Sequence, residues 1–210
     1  MKGLKPEDYL EPACIFCTPE QEKVQPIDLR RCLGRLDEYL GRNDTAAAER
    51  HLNYWKEEAL AGRDLRGLLT IENERMGLYR KLGREADAQA AVRSALSLVD
   101  QTGLQDTVTA ATTYLNVGTV CKCFRQSGTA LAWYEQARTI YERELAPDDP
   151  RLAGLYNNLA LVLVDLRRFA EARDLYEKAL AIVEQAENGA PDAATCGAKS
   201  CSRPTTRKTR

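Results

Sequence analysis

From about residue 27 to residue 187 the apolar residues recur at helical spacing, three or four apart, with charged residues on the opposite positions. The same classes also recur at a longer interval of 42 residues. At that offset Tyr114 falls on Tyr156, Val117 on Leu159, Gly118 on Ala160 and Phe124 on Leu166. Some columns run three deep: Tyr79, Cys121, Leu163; Ala88, Ala130, Ala172; Val92, Tyr134, Tyr176; Ala95, Ala137, Ala179; and Leu98, Ile140, Ile182. Asp106 keeps register with Asp148 in the connection. Repetition at one period is the signature of a stacked array, so the repeat comes before any other reading of the fold.

The columns have a physical meaning. Ala172, Tyr176 and Ala179 lie on one helix face, because spacings of four and three add to nearly two turns. Small residues let two helices approach closely, and the bulky one fills the gap beside them. A companion stripe of Tyr156, Leu159, Ala160 and Leu163 marks the first helix of the same unit. Two such helices in antiparallel contact leave an apolar side uncovered, so each unit must stack on a neighbour.

The pattern predicts eight helices over 27–40, 45–60, 64–82, 85–101, 107–125, 129–145, 150–166 and 170–187, paired as hairpins. Asp44 and Asp149 are expected N-caps, with Pro150 in the first turn after Asp149. Gly41, Gly62 and Gly103 are expected C′ residues in the left-handed conformation. The domain reading is an irregular segment 1–26, a repeat array 27–187 and a disordered basic tail 188–210. The array divides into a hairpin 27–62 and repeats 63–104, 105–147 and 148–187. The first hairpin reads as degenerate, with Ala47 or Ala48 and Leu52 only roughly in register, as expected of a capping repeat.

A helix with a small–x–x–x–aromatic–x–x–small pattern, preceded by a Tyr–x–x–Leu–Ala–x–x–Leu helix, resembles the tetratricopeptide repeat. That family's usual period is about 34 residues. The eight additional residues, around Glu142 to Arg151, are similar to the longer repeats of kinesin light chains. So are Tyr156-Asn157-Asn158-Leu159-Ala160 and Pro147-Asp148-Asp149-Pro150. HEAT and armadillo repeats approach the same period, but their packing columns differ. The resemblance implies an all-α, right-handed α-solenoid whose first helices line a concave groove for an extended peptide or a partner helix. It also implies a groove asparagine one residue before the large apolar position, here Asn116 and Asn158. In the preceding repeat that position is Glu74, with Asn73 adjacent, and Asn157 is a further candidate. An amide suits the role because it offers donors and an acceptor to a peptide unit; a solvated or locally capping amide is the other reading. Arg80 and Lys122 match the basic positions of members that clamp a carboxylate. The last repeat has Val164 and Asp165 there instead, so a mixed polar and apolar groove is expected.

Charge and chemistry narrow the function. After Ala193 there are five basic residues (Lys199, Arg203, Arg207, Lys208, Arg210) and no acid. Before it stand 25 basic and 31 acidic residues, a balance of −6. An acidic body opposes a phosphate backbone, so no nucleic-acid partner is expected. No stretch approaches the roughly 20 apolar residues of a membrane span, and Met1 to Pro12 lacks the apolar core of a signal peptide; no membrane partner and a cytoplasmic location are expected.

Seven cysteines are scattered without a disulfide pattern. Cys14 and Cys17 make half of a zinc site, with Cys32 as a third candidate ligand. Cys121 and Cys123 diverge by about 200° on a helix and cannot grip one metal. Ordinary reduced thiols, no metal and no cofactor are expected. His51 is the single histidine, read as an interhelical or surface residue. Trp55 and Trp133 read as packing residues, and no phosphate-binding glycine loop is present. The sequence therefore points to a non-enzymatic protein- or peptide-binding scaffold. A peptide-sensing regulatory solenoid and a thiol or zinc protein are the alternatives. Finally, Leu161, Leu175 and Ile182 are expected on the outer face of the last hairpin. The tail beyond it carries no Leu, Ile, Val or aromatic residue from Ala193 onward. The array is therefore expected to be truncated there and to self-associate through that edge; a natural flexible tail over an edge capped by the last helix itself is the alternative.

Overall fold

The computed structural model describes residues 23–189. Eight α-helices follow one another: α1 (Leu29–Gly41), α2 (Thr45–Ala61), α3 (Leu65–Lys81), α4 (Glu85–Gln101), α5 (Val108–Cys123), α6 (Ser127–Glu144), α7 (Pro150–Asp165) and α8 (Phe169–Gly189). Among the described residues there is no strand. The helices fall into two units, α1–α4 and α5–α8, divided after Gln105. The all-α class and the antiparallel pairing expected from the periodicity are both present. The outer residues 1–22 and 190–210 lie outside the described part, and with them Cys14, Cys17 and the basic tail.

Within the first unit α1 packs on α2, α2 on α3 and α3 on α4. Cys32, Leu36, Ala48, Leu52, Ile71 and Leu78 form a common core. Ala48 and Leu52 are wholly buried there. The hairpin is therefore not degenerate, as its 42-residue register suggested. It keeps the columns at an offset of 40, because Ala48 stands 40 residues before Ala88, and Leu52 before Val92. Only the connection from α2 to α3 is shorter. Residues 23–28 run irregularly along that connection: the Gln25 N–H donates to the Gly62 carbonyl at 2.8 Å. The Ile27 N–H donates to Asp64 Oδ2 at 3.0 Å, while Asp64 Oδ1 caps α3 through the Gly67 N–H at 2.8 Å.

Within the second unit α5 pairs with α6 and α7 with α8, α6 packs on α7, and the two first helices α5 and α7 also touch. Ala130, Ala137 and Tyr134 are wholly buried, and Ala172 nearly so. The tightest approach is at Gly118, where an added Cβ would come within 2.5 Å of Tyr134 Cε1. The same tyrosine donates its hydroxyl to Thr119 Oγ1 at 3.1 Å, which fixes the ring over the glycine.

One turn type recurs. Asp44 N–H reaches back to the Tyr39 carbonyl at 2.9 Å and Asn43 N–H to Leu40 at 3.0 Å, the paired bonds of a Schellman motif. The same pair closes α2, α3, α4, α5 and α7. The left-handed residues are Asn43, Arg63, Gly83, Gly103, Arg125 and Arg167. Gly103 is therefore placed as expected, but Gly41 and Gly62 are not. Gly41 is the last residue of α1, and Gly62 is a C-cap with φ of −80°. Gly62 answers a steric need instead, since a Cβ there would meet the Gln25 carbonyl oxygen at 2.3 Å. At the helix starts Asp44 and Asp149 cap α2 and α7 as anticipated, accepting from Ala47 and Arg151 N–H at 2.9 Å.

The last hairpin corrects the reading of its outer face. Leu175 and Ile182 are buried and Leu161 is half-buried. Phe169 (62% exposed), Leu180 (56%), Val183 and Val164 are the apolar residues that face outward. A helical stripe of period 3.6 gives the face but not its sign. On α8 the inward side is set by the Ala172–Leu175–Ala179–Ile182 line.

Two substitutions test these contacts. Gly118→Ala and Ala172→Leu each overfill a close helix approach and should cost roughly 1–3 kcal/mol, read as lowered denaturant midpoints at unchanged slope. A neutral Ala172→Leu would refute the register.

Candidate functional site

The polar faces of the first helices are built by the same packing that buries their apolar faces. On α7 the wholly buried Leu159 fixes its predecessor Asn158 at the half-buried margin, and Asn157 stands exposed beside it. Neither side-chain amide meets a hydrogen-bond partner among the described residues. On α5, Asn116 holds the same register 42 residues earlier, half-buried before the buried Val117. Lys122 lies half-buried in the last turn of α5, where a cation also suits the helix dipole. Because α5 and α7 touch, Asn116, Lys122, Asn157 and Asn158 are carried by two adjoining helices of one unit. The equivalent of Lys122 is Val164, partly exposed, followed by Asp165.

The other two candidates lie in the first unit. Asn73 Nδ2 donates to the Leu69 carbonyl at 3.0 Å, one turn back on its own helix. Arg80 is exposed in the last turn of α3. It borders a shallow depression of about 300 Å³ with Leu40, Glu74, Gly77 and Lys81. Glu74, which replaces the asparagine in this repeat, is pushed above the usual carboxylate range, first by burial and then by Asp37 on α1. The two first-helix faces thus differ in chemistry: amides and a lysine in one unit, a disfavoured carboxylate and an arginine in the other.

Two groupings were not legible in the sequence. Glu72 is wholly buried, with Lys56 Nζ at 2.8 Å from one oxygen and Arg75 Nε at 3.3 Å from the other. Arg75 also reaches Asn53 and lies over the Tyr79 ring at 5.1 Å. Arg84 covers the same ring at 4.8 Å and binds Glu49 with both oxygens at 2.8 and 2.9 Å. The i, i+3 spacing of Glu72 and Arg75 was visible, but the burial of the acid at the register of Tyr114 and Tyr156 was not. The second grouping is an arginine and aromatic cleft between α1 and α2, with Trp55 and His51 in its wall. His51 Nε2 does bridge helices, bonding the Cys32 carbonyl at 2.9 Å.

Of the metal candidates, Cys14 and Cys17 lie outside the described residues. Cys32 is wholly buried in the first hairpin, and burial, then Glu74 and Asp28, pushes its thiol up to about 11. At neutral pH it is a protonated thiol, a poor metal ligand. Among the described residues no three His, Cys, Asp or Glu side chains converge as a ligand set.

The fold and these faces define a helical-repeat protein. The tetratricopeptide repeat family model matches residues 109–185, so that part of the chain is similar to the family's repeats. The chain is similar in structure to BtubC (BKLC) from P. vanneervenii, a kinesin light chain-like repeat protein, with a TM-score of 0.67 and 24% identity. The match covers 78% of this chain and 65% of that one, so the chain spans about two thirds of its neighbour's length. No curated protein matches the sequence. Repeats of this family are in general protein-interaction scaffolds.

Glu74 gives a pH test. Its raised pKa means that the fold holds the proton more tightly than the unfolded chain does. The carboxyl therefore costs nothing below the ordinary value of 4.5, and its penalty develops as pH rises through the raised pKa. Glu74→Gln should raise the melting temperature at pH 7, and the gain should vanish at about pH 4.

Proposed function

We propose that the chain is a non-catalytic scaffold that holds a protein or peptide on the polar faces of its first helices, with residues 27–187 acting as one repeat array. Asn116, Lys122, Asn157 and Asn158 make the contacts in the second unit, and Asn73 and Arg80 are the candidates on the first unit's own face. The observation that carries this reading is the pair of unpartnered amides, Asn157 and Asn158, on α7. They adjoin α5 with Asn116 at the same register. Such amides bind the donors and acceptors of a peptide backbone without demanding one side-chain sequence. Asn73 contributes less, because its Nδ2 already serves its own helix. The residue inventory supports the absence of catalysis, since the single histidine spends Nε2 on a backbone carbonyl. A cytoplasmic location belongs to the same proposal; among the described residues no helix is long and apolar enough to cross a membrane.

The experiment is a pull-down from native cytosolic extract with wild type and with the Asn116→Ala/Asn158→Ala double variant. Partner recovery should fall about tenfold, for two lost hydrogen bonds of about 0.5–1.5 kcal/mol each, with little change in melting temperature. Normal recovery would move the ligand to another surface. An unfolded variant would make the amides structural.

Self-association through the last hairpin is supported by the outward Phe169, Leu180 and Val164, which border a hollow of about 270 Å³ with Tyr176, and by the exposed Val183. Sedimentation should show concentration-dependent dimers, and Phe169→Lys/Leu180→Lys should return a monomer. A wild-type monomer at all concentrations would end this part of the reading.

A further inference from the structure

The first hairpin carries a built cleft that the groove reading does not use. Its volume is about 670 Å³, and its lining includes Arg30, Arg31, Arg35, Tyr39, Tyr54 and Trp55, with Glu38 and His51 beside them. The wall is a chain of edge-to-face rings: Tyr39 to His51 at 5.5 Å, His51 to Trp55 at 6.2 Å, and Trp55 to Tyr54 at 5.6 Å. The bond from His51 Nε2 to the Cys32 carbonyl anchors the middle of that chain. Arg35 is committed, lying over the Tyr39 ring at 5.2 Å and paired with Glu38. Arg30 and Arg31 are exposed, and neither guanidinium has an ion-pair partner among the described residues.

Register shows how unusual this face is. Forty residues on, the positions of Arg31 and Glu38 are held by Ile71 and Leu78, both buried against the first hairpin. The first hairpin has charges where the next has packing residues, so among the described residues this face is solvated. Solvation alone does not account for the rest of the face. Tyr54 is 57% exposed beside Trp55, and Arg30 and Arg31 stand in the first turn of α1, where the helix dipole disfavours cations. The fold gains nothing from two unpaired arginines there. In a chain of net charge −1, three arginines against one glutamate make a local cationic site with an apolar wall.

We propose that this cleft is a second binding site, separate from the amide-bearing faces, and that it takes an acidic peptide segment of a partner protein. Carboxylates of the segment pair with the guanidiniums of Arg30 and Arg31, whose planar forks fit them with two parallel hydrogen bonds. A large apolar or aromatic side chain of the segment rests on Tyr54 and Trp55. A nucleic acid fits less well, because two unpaired arginines neutralise few phosphates and Glu38 repels them.

The test uses the full chain and a fluorescein-labelled peptide, Gly-Glu-Asp-Phe-Leu-Glu-Asp-Gly, followed by anisotropy. Its counterpart with lysine for every acid and a ten-nucleotide oligothymidylate are the competing probes. The acidic peptide should bind saturably and more weakly as salt rises, while the lysine peptide should not bind. Arg30→Ala/Arg31→Ala should weaken binding about tenfold or more. Both side chains are exposed, so circular dichroism should show that variant folded. Tyr54→Ala should weaken binding several-fold, and Asn116→Ala/Asn158→Ala should leave it unchanged. The proposal is overturned if the acidic peptide does not bind, if the arginine variant binds as wild type does, or if the oligonucleotide binds in its place.

Discussion

Everything in this fold depends on how closely two helices of a hairpin come together, and one column of alanines sets that distance. Ala48, Ala88, Ala130 and Ala172 are buried almost completely, and each is followed four residues later by Leu52, Val92, Tyr134 or Tyr176. A methyl at the contact lets the backbones approach, and the larger side chain one turn on fills the space that opens beside it. Gly118 takes the principle to its limit, since Tyr134 occupies the volume that any Cβ would need. Tyr176 is the one member of the bulky column left half-exposed, and it sits beside the outward Phe169 and Leu180 of the last hairpin.

Close approach demands a connection that reverses the chain in very few residues, and the repeated Schellman turn supplies it. Four of the six left-handed positions are Asn or Arg rather than Gly, at a cost of about 1–2 kcal/mol each for a β-carbon in that region. The two backbone bonds that close each turn offset it by pairing carbonyls that a helix end otherwise leaves orphaned. In the first unit these positions are spaced by 20 residues: Asn43, Arg63, Gly83 and Gly103. There α2, α3 and α4 are each 17 residues long and three-residue connections separate successive helices, whereas in the second unit the connection from α6 to α7 is longer. That difference takes the first hairpin out of the 42-residue register, though its packing column is as well buried as any other.

The period, the helix count, the alanine column and the caps Asp44 and Asp149 were legible because each depends on local spacing alone. What escaped depends on which neighbour is present. Leu175 and Ile182 were assigned to the outside because a stripe does not say which side a partner helix covers. Gly41 and Gly62 were assigned a left-handed turn because glycine so often serves there, whereas Gly62 is small to admit the Gln25 carbonyl. Asn73 reads as a groove amide in sequence, yet its Nδ2 turns back to the Leu69 carbonyl. Glu72 occupies a tyrosine column, and only the positions of Lys56 and Arg75 make its burial tolerable. The arginine and aromatic cleft escaped for the same reason: its members come from two helices, and the residues of each helix read separately as surface or as packing.

The register explains why such a scaffold diversifies so readily. The column one residue before the large apolar position reads Gly34, Glu74, Asn116 and Asn158 down the four hairpins. Its members are a backbone gap, a carboxyl whose pKa burial and then Asp37 raise, and two amides. The column beside it, Arg35, Arg75, Val117 and Leu159, changes from charged in the first unit to buried and apolar in the second. None of these exchanges disturbs the alanine column, because the two faces of a first helix are separated by about half a turn. Packing therefore fixes where a side chain is presented and leaves its chemistry open. A hairpin can exchange amides for arginines without altering the helix approach that holds it together, and this chain holds both versions in one sequence.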